Sequence, residues 1–355
     1  MGGYLPAMIP LNLLFLLLVL WMGYLAAEAV RLRRWQRAIP LRITVTGTRG
    51  KTSVARMLAA VLRANGRRVV AKTTGSEPRI ILPDGRERPV RRRGVASILE
   101  QTDLLRIAVQ ERAQVVVAEI MSVHEENHRV ESQRLLQPHL VLVTNFRVDH
   151  TEAAGWTREE VAALHLADIP PGAVVLIPEG ELVSGFAEAV EGMGSTLVTV
   201  ASEIKEVPIA PDSAPSATPA FLAENLALLR GAARKLDIPE EAVIQSLREA
   251  RGDLGAHWIR RYRHTRGGPG LLVVNAFAAN DPRSTAILLE WVRERVREPS
   301  GGANGGHFPD SSPGRRKVMG LLNLRADRGD RTIQWLEAMS GGFREQFQHL
   351  YLTGF

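Results

Sequence analysis

One short segment constrains the fold of this 355-residue chain more than any other. Residues 46–53 carry the letters TGTRGKTS, follow a β-rich run and precede an apolar pattern with helical spacing. A strand, a glycine loop and a helix start in this order predict an α/β domain that binds phosphate where the strand ends. The glycines let backbone N–H groups converge on phosphate oxygens, and the helix N-terminus adds partial positive charge.

The residue types in this loop predict individual roles. Lys51 can reach the β- and γ-phosphates of a nucleotide, and Thr52 can hold Mg²⁺. The usual P-loop has a glycine where this chain has Val45, so the loop is of a shorter type. The alternative is an ordinary strand–helix turn without a ligand. It would require the lysine and both hydroxyl residues to occur at these positions by chance. The predicted nucleotide-binding residues here are Gly47, Thr48, Arg49, Gly50, Lys51, Thr52 and Ser53.

Composition excludes several function classes. The chain is 45% hydrophobic, which is enough to bury a large core, and its length predicts two or three domains. It has no cysteine, so it has neither disulfides nor a thiol nucleophile. The net charge of +7 comes mostly from arginine, but no basic motif interleaved with aromatic residues is visible. A nucleic-acid partner is therefore not expected.

The N-terminal segment predicts a membrane anchor. Residues 1–27 carry no charged side chain. A segment of this length is long enough for a helix that crosses the hydrocarbon core. Arginines 31, 33, 34 and 37 follow at once, so the positive-inside rule places the rest of the chain in the cytoplasm. The alternatives are a cleaved signal peptide, which lacks its basic start here, or a buried soluble helix.

Polar residues at the ends of two further predicted strands extend the phosphate site. Glu119 follows the apolar run 115–118, and Asp149 and His150 follow the run 140–144. Because ligands collect at the carboxyl edge of open α/β sheets, these residues are expected to converge on the glycine loop. We predict that Lys51, Glu119 and His150 are catalytic, and that Thr52, Glu119 and His150 bind the metal. A solvated glutamate and a lone loop histidine are the alternatives.

Two other polar clusters are less specific. His124 and His128 lie beside two glutamates, but their spacing is not that of H-E-x-x-H, and we interpret them as polar surface. A run of arginines can attract a polyanionic product or an acidic lipid, although a solvated loop explains it equally well. These arginines are Arg86, Arg88, Arg91, Arg92 and Arg93.

The chain divides into three predicted regions. Residues 1–38 form the anchor and its basic flank, residues 39–255 a central ATP-binding domain, and residues 256–355 a smaller Rossmann-like domain. A Pro/Ala/Ser-rich linker is predicted around residues 208–219. The last domain ends on a strand with no covering helix, so we expect it to be incomplete.

Four ordered motifs resemble the Mur-ligase superfamily. The loop G-T-x-G-K-T is the first, and Val117-Ala118-Glu119 resembles the strand that ends in the family's metal-binding glutamate. Asn145 to His150 is similar to the family's N-x-x-x-D-H segment, and residues 224–225 resemble its H-N helix. Residues 275–284 resemble the segment that opens the C-terminal domain, which implies that Asn280 and Asp281 contact nucleotide or incoming substrate.

Further details resemble one branch of this superfamily, the ligase subunits of poly-γ-glutamate synthases of the PgsB/CapB type. These details are the anchor, Lys72-Thr73-Thr74-Gly75, the arginines before Glu100-Gln101, and Arg325-Ala326-Asp327-Arg328. One departure concerns the lysine that many Mur ligases carbamylate. It is absent from the helix around residues 160–169, where His165 and Asp168 occur.

The resemblance implies an ATP- and Mg²⁺-dependent acid–amino-acid ligase that makes capsule or secreted polymer through an acyl phosphate and releases ADP. Its substrates would be glutamate and the growing polyglutamate chain, and its partners small multi-span membrane subunits of a synthase complex. It also implies a single-pass protein with the catalytic region in the cytoplasm. The alternatives are a folylpolyglutamate-like or other Mur-type ligase, or a membrane-tethered nucleotide-binding scaffold without turnover.

Overall fold

The computed structural model describes residues 11–75, 77–92, 94–149, 151–201, 219–249, 258–262, 271–276, 281–297, 318–324 and 329–354. Two predicted site residues, His150 and Asn280, lie outside the described residues, as do residues 208–218 of the predicted linker.

An eight-stranded sheet forms the centre of the molecule, and it confirms the predicted parallel α/β fold. Its strands lie in the order β4-β3-β2-β5-β1-β6-β7-β8, and all neighbouring pairs are parallel except those that β3 makes. The strands are β1 (Leu41–Thr46), β2 (Val69–Thr73), β3 (Arg79–Ile81), β4 (Glu87–Pro89), β5 (Val115–Glu119), β6 (Leu140–Val143), β7 (Val174–Pro178) and β8 (Thr196–Val200).

Helices cover both faces of this sheet, because the central strands are apolar on both sides. The helices up to β8 are α1 (Leu11–Ala38), α2 (Lys51–Ala64), α3 (Glu100–Gln110), α4 (Glu125–Arg129), α5 (Thr151–Ala154), α6 (Arg158–His165) and α7 (Phe186–Gly192). After β8 come α8 (Pro219–Lys235) and α9 (Glu240–Glu249).

The core divides by sheet face. Helices α2, α8 and α9 bury residues such as Leu58 and Leu229 against Ile43 and Val45 of β1. Helix α3 packs on the opposite face against β5 and β2. A third cluster, which includes Phe146, joins α6 and α7 to β6 and β7. These layers hold the carboxyl ends of the strands at a fixed spacing.

Helix α1 has the length and composition of a membrane span, with a mean hydropathy of 2.2 over its most apolar window and no burial of that window. Its last turns, by contrast, pack against the domain. Leu32 and Trp35 contact the α3 core cluster, and the Gln36 amide donates to the carbonyls of Arg134 (2.7 Å) and Leu135 (2.9 Å). The basic end of this helix therefore belongs to the folded domain.

The C-terminal region contains two small sheets. The first pairs β9 (Trp258–Tyr262) antiparallel with β10 (Leu271–Asn275), and the second pairs β11 (Met319–Leu324) parallel with β12 (His349–Gly354). Helix α10 (Pro282–Arg297) follows β10, and α11 (Gly329–Ser340) connects the parallel pair in a βαβ unit. Strand β9 was not predicted, because two adjacent arginines interrupt its apolar pattern.

Candidate functional site

The loop between β1 and α2 has a backbone that only glycine adopts easily at two positions. Gly47 has φ +104° and Gly50 has φ +83°. A Cβ on Gly47 would lie 2.9 Å from the Asn145 carbonyl oxygen, and one on Gly50 would lie 2.7 Å from Asn225 Oδ1. The glycines are therefore required both by conformation and by the close approach of neighbouring chain.

Helix α2 starts at Lys51, and Gly50 is its N-cap residue. Among the described residues, no side chain caps this helix end, so its first N–H groups face the loop. The Lys51 ammonium folds back over the loop and donates to the Gly47 carbonyl at 2.6 Å. Burial lowers the pKa of Lys51, while Glu119 acts in the opposite direction. An amine held above uncapped N–H groups is the arrangement expected of a phosphate site. Ser53 lies exposed in the first turn of the helix.

Thr52 in the first turn of α2 meets Glu119 at the end of β5, the strand next to β1. The Thr52 hydroxyl lies 3.0 Å from each carboxylate oxygen of Glu119, whose residue is only 3% exposed. The backbone N–H of Thr74 also donates to Glu119, at 2.6 Å. A buried carboxylate and a hydroxyl are hard oxygen donors of the kind Mg²⁺ takes alongside phosphate oxygens, so these residues fit the ion.

Asn145 at the end of β6 clamps the loop, a role that sequence reasoning did not assign to it. Its Oδ1 accepts from the Arg49 N–H at 3.1 Å and its Nδ2 donates to the Arg49 carbonyl at 2.9 Å. The Thr48 hydroxyl donates to the Arg147 carbonyl at 2.7 Å. The asparagine of the N-x-x-x-D-H motif could have indicated this role. A side-chain amide both donates and accepts, so it can satisfy the N–H and the carbonyl of one backbone residue.

Charged residues connect the loop to the C-terminal region. The Arg49 guanidinium lies 3.3 Å from Asp149 and 4.0 Å from Asp281, and Arg331 lies 3.2 Å from Asp149. Asp281 also accepts from the Ser284 N–H at 2.8 Å, which caps the start of α10. The structure thus brings Asp281 to the glycine loop through Arg49.

A buried polar network lies directly below the loop. The Asp168 carboxylate accepts from His128 Nδ1 at 2.8 Å and lies 3.0 Å from His165 Nδ1, and the Thr46 hydroxyl donates to it. Our interpretation of His128 as surface was wrong, since it is 3% exposed. His124 is exposed as expected, since it is the extended N-cap residue that precedes α4, whereas His128 lies within the helix and is buried.

Electrostatics favours an ionised Asp168 in this network. Burial alone raises the pKa of Asp168, but the charge of His128 and the hydrogen bonds from His128 and His165 outweigh burial and lower it. Burial lowers the pKa of His165, so its imidazole is neutral at neutral pH. Asp168 therefore fixes the orientation of Thr46, the last residue before Gly47.

Family models match two segments of the chain. The Mur ligase middle domain matches residues 45–201, and the poly-gamma-glutamate synthase CapB C-terminal domain matches residues 259–355. The first segment contains the glycine loop, Glu119 and the network around Asp168. The second contains the elements from β9 onwards.

Two solved structures share the fold at low sequence identity. MurF from Acinetobacter baumannii superposes with a TM-score of 0.59 and 16% identity, covering 91% of this chain and 65% of that one. A bifunctional folylpolyglutamate synthase/dihydrofolate synthase from Yersinia pestis, complexed with AMPPNP and Mn ion, gives a TM-score of 0.59 and 16% identity, covering 95% and 89%.

Two relatives are more similar in sequence. PGA synthase CapB of Bacillus subtilis (strain 168) is 30% identical over 327 residues, which are 91% of this chain and 78% of that protein. Capsule biosynthesis protein CapB of Bacillus anthracis is 30% identical over 300 residues, which are 84% of this chain and 60% of that protein. This chain belongs to the CapB family of poly-gamma-glutamate synthases, built around a Mur ligase middle domain.

Proposed function

We propose that this chain is an ATP-dependent ligase that elongates poly-γ-glutamate and releases ADP and phosphate. The observation that carries the proposal is the convergence of Lys51, Thr52 and Glu119 at one sheet edge, in a member of the CapB family. A carboxylate of the growing chain attacks the γ-phosphate of ATP and forms an acyl phosphate. The amine of the incoming glutamate then displaces phosphate, which creates the amide bond.

Positioning and charge neutralisation dominate the first step, because phosphoryl transfer asks little covalent chemistry of the protein. The N–H groups of residues 47–51 bind phosphate oxygens, and Lys51 neutralises charge on the γ-phosphate. Arg49 lies between Asp149 and Asp281. Its ion pairs are therefore proposed to couple nucleotide binding at the loop to the C-terminal region. Asp281, together with Asn280, is proposed to contact nucleotide or incoming glutamate.

Thr52, Glu119 and His150 are the proposed metal ligands. A divalent cation held by these residues would neutralise negative charge on the phosphates. The Thr52 hydroxyl and the Glu119 carboxylate are preorganised, since they already lie 3.0 Å apart. The solved relative from Yersinia pestis binds AMPPNP and Mn, which supports a nucleotide–metal pair in this fold.

The proposed organisation is a membrane anchor over residues 1–38, a central ATP domain over residues 39–255 and a C-terminal domain over residues 256–355. With arginines following the apolar stretch of α1, the catalytic region is cytoplasmic and the protein crosses the membrane once. Small multi-span membrane subunits are the proposed partners, which would carry the polymer across the bilayer.

The test is turnover by the full chain in membranes, supplied with Mg-ATP, glutamate and short γ-linked glutamate acceptors. We expect stoichiometric ADP, phosphate and lengthened acceptor, and a loss of about 100-fold or more in Lys51→Ala. Lys235→Ala at the exposed end of α8 is the matched control and should retain full activity. Nucleotide binding by the Lys51 variant can be measured in parallel to separate binding from chemistry.

Four outcomes would contradict the proposal. Release of AMP and pyrophosphate excludes an acyl-phosphate route, and unchanged turnover in Lys51→Ala excludes this site. Tight ATP binding without turnover identifies a scaffold instead. A preference for folate-linked acceptors over γ-linked glutamate would favour the folylpolyglutamate-like alternative.

A further inference from the structure

Strand β4 is the outermost strand on one side of the central sheet. Its last residue, Pro89, lies at the carboxyl end of the parallel strands, where Glu119 also lies. Pro89 pairs with Arg79, and Arg79 pairs with Thr73. In the next row, Lys72 pairs with Ala118, so Thr73 is level with Glu119. Residues 90–92 therefore leave the sheet on the side where the phosphate site lies.

Most arginines around this edge are already paired with carboxylates. The pairs are Arg56 with Glu87, Arg79 with Glu77, Arg86 with Asp84, and Arg92 with Glu100. Among the described residues of β4 and the segment that follows it, Arg88 and Arg91 remain, and both are exposed. Within the described residues of the chain, neither of these edge arginines has an acidic partner.

Ion pairs hold the segment that carries Arg91 at a fixed distance from the site. The Arg92 guanidinium binds both oxygens of Glu100, at 2.7 and 3.2 Å, where α3 begins. Glu100 lies 3.2 Å from the ammonium of Lys72, whose residue is 0% exposed. The same ammonium donates to Met121 Sδ at 3.5 Å, two residues after Glu119. A chain of contacts thus connects Arg92 at the surface with the strand that carries Glu119.

We propose that Arg88 and Arg91 bind the growing polyglutamate chain behind its reacting end, an inference that rests on the proposed function. Three strand spacings separate Glu119 from Pro89, or roughly 14 Å at about 4.8 Å each. A γ-linked glutamate has five backbone bonds instead of three, so an extended unit spans about 6 Å. The edge arginines therefore meet the free α-carboxylates two or three units behind the carboxylate that reacts. Guanidinium–carboxylate contacts of this kind are charge-assisted and tolerate a flexible ligand.

Acceptor length provides the test. Fluorescein-labelled γ-linked diglutamate and hexaglutamate are titrated against the full chain in detergent, and KM is measured for both unlabelled acceptors. For Arg91→Glu and Arg88→Glu we expect hexaglutamate affinity to fall about three- to tenfold, with diglutamate unchanged. The hexaglutamate difference should shrink as salt is raised to about 1 M. Arg67→Glu is the matched control, because Arg67 is exposed just before β2, at the opposite sheet edge.

The outcomes separate this inference from the function on which it rests. An equal loss for diglutamate and hexaglutamate, or the same loss in Arg67→Glu, overturns the edge-arginine site. The variants are also tested for binding to vesicles that contain acidic phospholipid. If vesicle binding falls in Arg88→Glu and Arg91→Glu while hexaglutamate binding does not, these arginines contact the membrane, and the edge-arginine site is overturned. Failure of the wild type to lengthen either acceptor overturns the proposed function, whereas the binding titration still decides the inference.

Discussion

At the scale of single residues, the site depends on side chains that other side chains orient. Glu119 receives two donors, the Thr52 hydroxyl and the Thr74 N–H, so its carboxylate cannot rotate freely. Asp168 has the corresponding role in the layer below the loop, where it holds Thr46 through a hydrogen bond. Polar groups in such a dry setting are stabilising only while every partner is present.

The Asp168 network predicts a pH-dependent stability. Asp168→Asn should lower the free energy of unfolding at pH 7 by about 2–4 kcal/mol, because it removes a charge-assisted acceptor from two histidines. The folded pKa of Asp168 is lowered, so its stabilisation is present above about pH 3.9, the unfolded value, and declines as the pH falls below it. Urea unfolding of wild type and variant from pH 7 to pH 3 measures the difference.

The exposed Asp103 provides the control for this prediction. Asp103→Asn removes a surface pair with Arg106 and should change the free energy of unfolding by less than about 1 kcal/mol. A difference between wild type and Asp168→Asn that stays constant down to pH 3 would show that folding does not lower the pKa of Asp168.

At the scale of elements, the loop between β1 and α2 works because two neighbouring elements press against it. The end of β6 supplies Thr144 and Asn145 against Gly47, and α8 supplies Asn225 against Gly50. The loop is therefore held from both sides before any phosphate arrives. Preorganisation of this kind reduces the entropy lost on binding.

Substituting the loop glycines tests this close packing. Gly47→Ala should destabilise the protein by more than the roughly 1–2 kcal/mol that a left-handed alanine costs, because the new Cβ meets backbone atoms of residues 144 and 145. Gly66→Ala has a similar positive φ of +75° but open space around it, so it isolates the conformational cost. Thermal unfolding and ATP affinity should both separate the two variants. Equal losses in stability would mean that the neighbouring chain does not constrain the loop.

At the scale of the whole molecule, α1 joins two environments in one helix. Its apolar start is exposed, whereas Trp35 and Gln36 at its end belong to the domain. Arg42, just after it, donates to the carbonyls of Leu136 (2.8 Å) and Ile39 (3.0 Å). The helix end and the first strand are thus fixed to each other, so the connection between α1 and the catalytic region is rigid.

Two truncations test this division of the helix. A chain that starts at residue 28 should leave the membrane fraction and keep its thermal midpoint, because only the exposed apolar stretch is lost. A chain that starts at residue 39 should lose about 2–5 kcal/mol, since Leu32 and Trp35 leave the core and Gln36 leaves two carbonyls unpaired. Identical stability of the two truncated chains would show that the helix end does not belong to the domain.

The sequence alone determined the elements whose signals are local. Hydrophobic runs predicted the two strands that lead to Glu119 and to Asn145, and residues 46–53 predicted a strand, loop and helix start, because loop chemistry is contained in neighbouring residues. Tertiary structure alone decided that Asn145 clamps the loop, that His128 is buried on Asp168, and that β9 pairs with β10. These features depend on which residues the sheet order brings together across large distances in sequence, and no local pattern records that order.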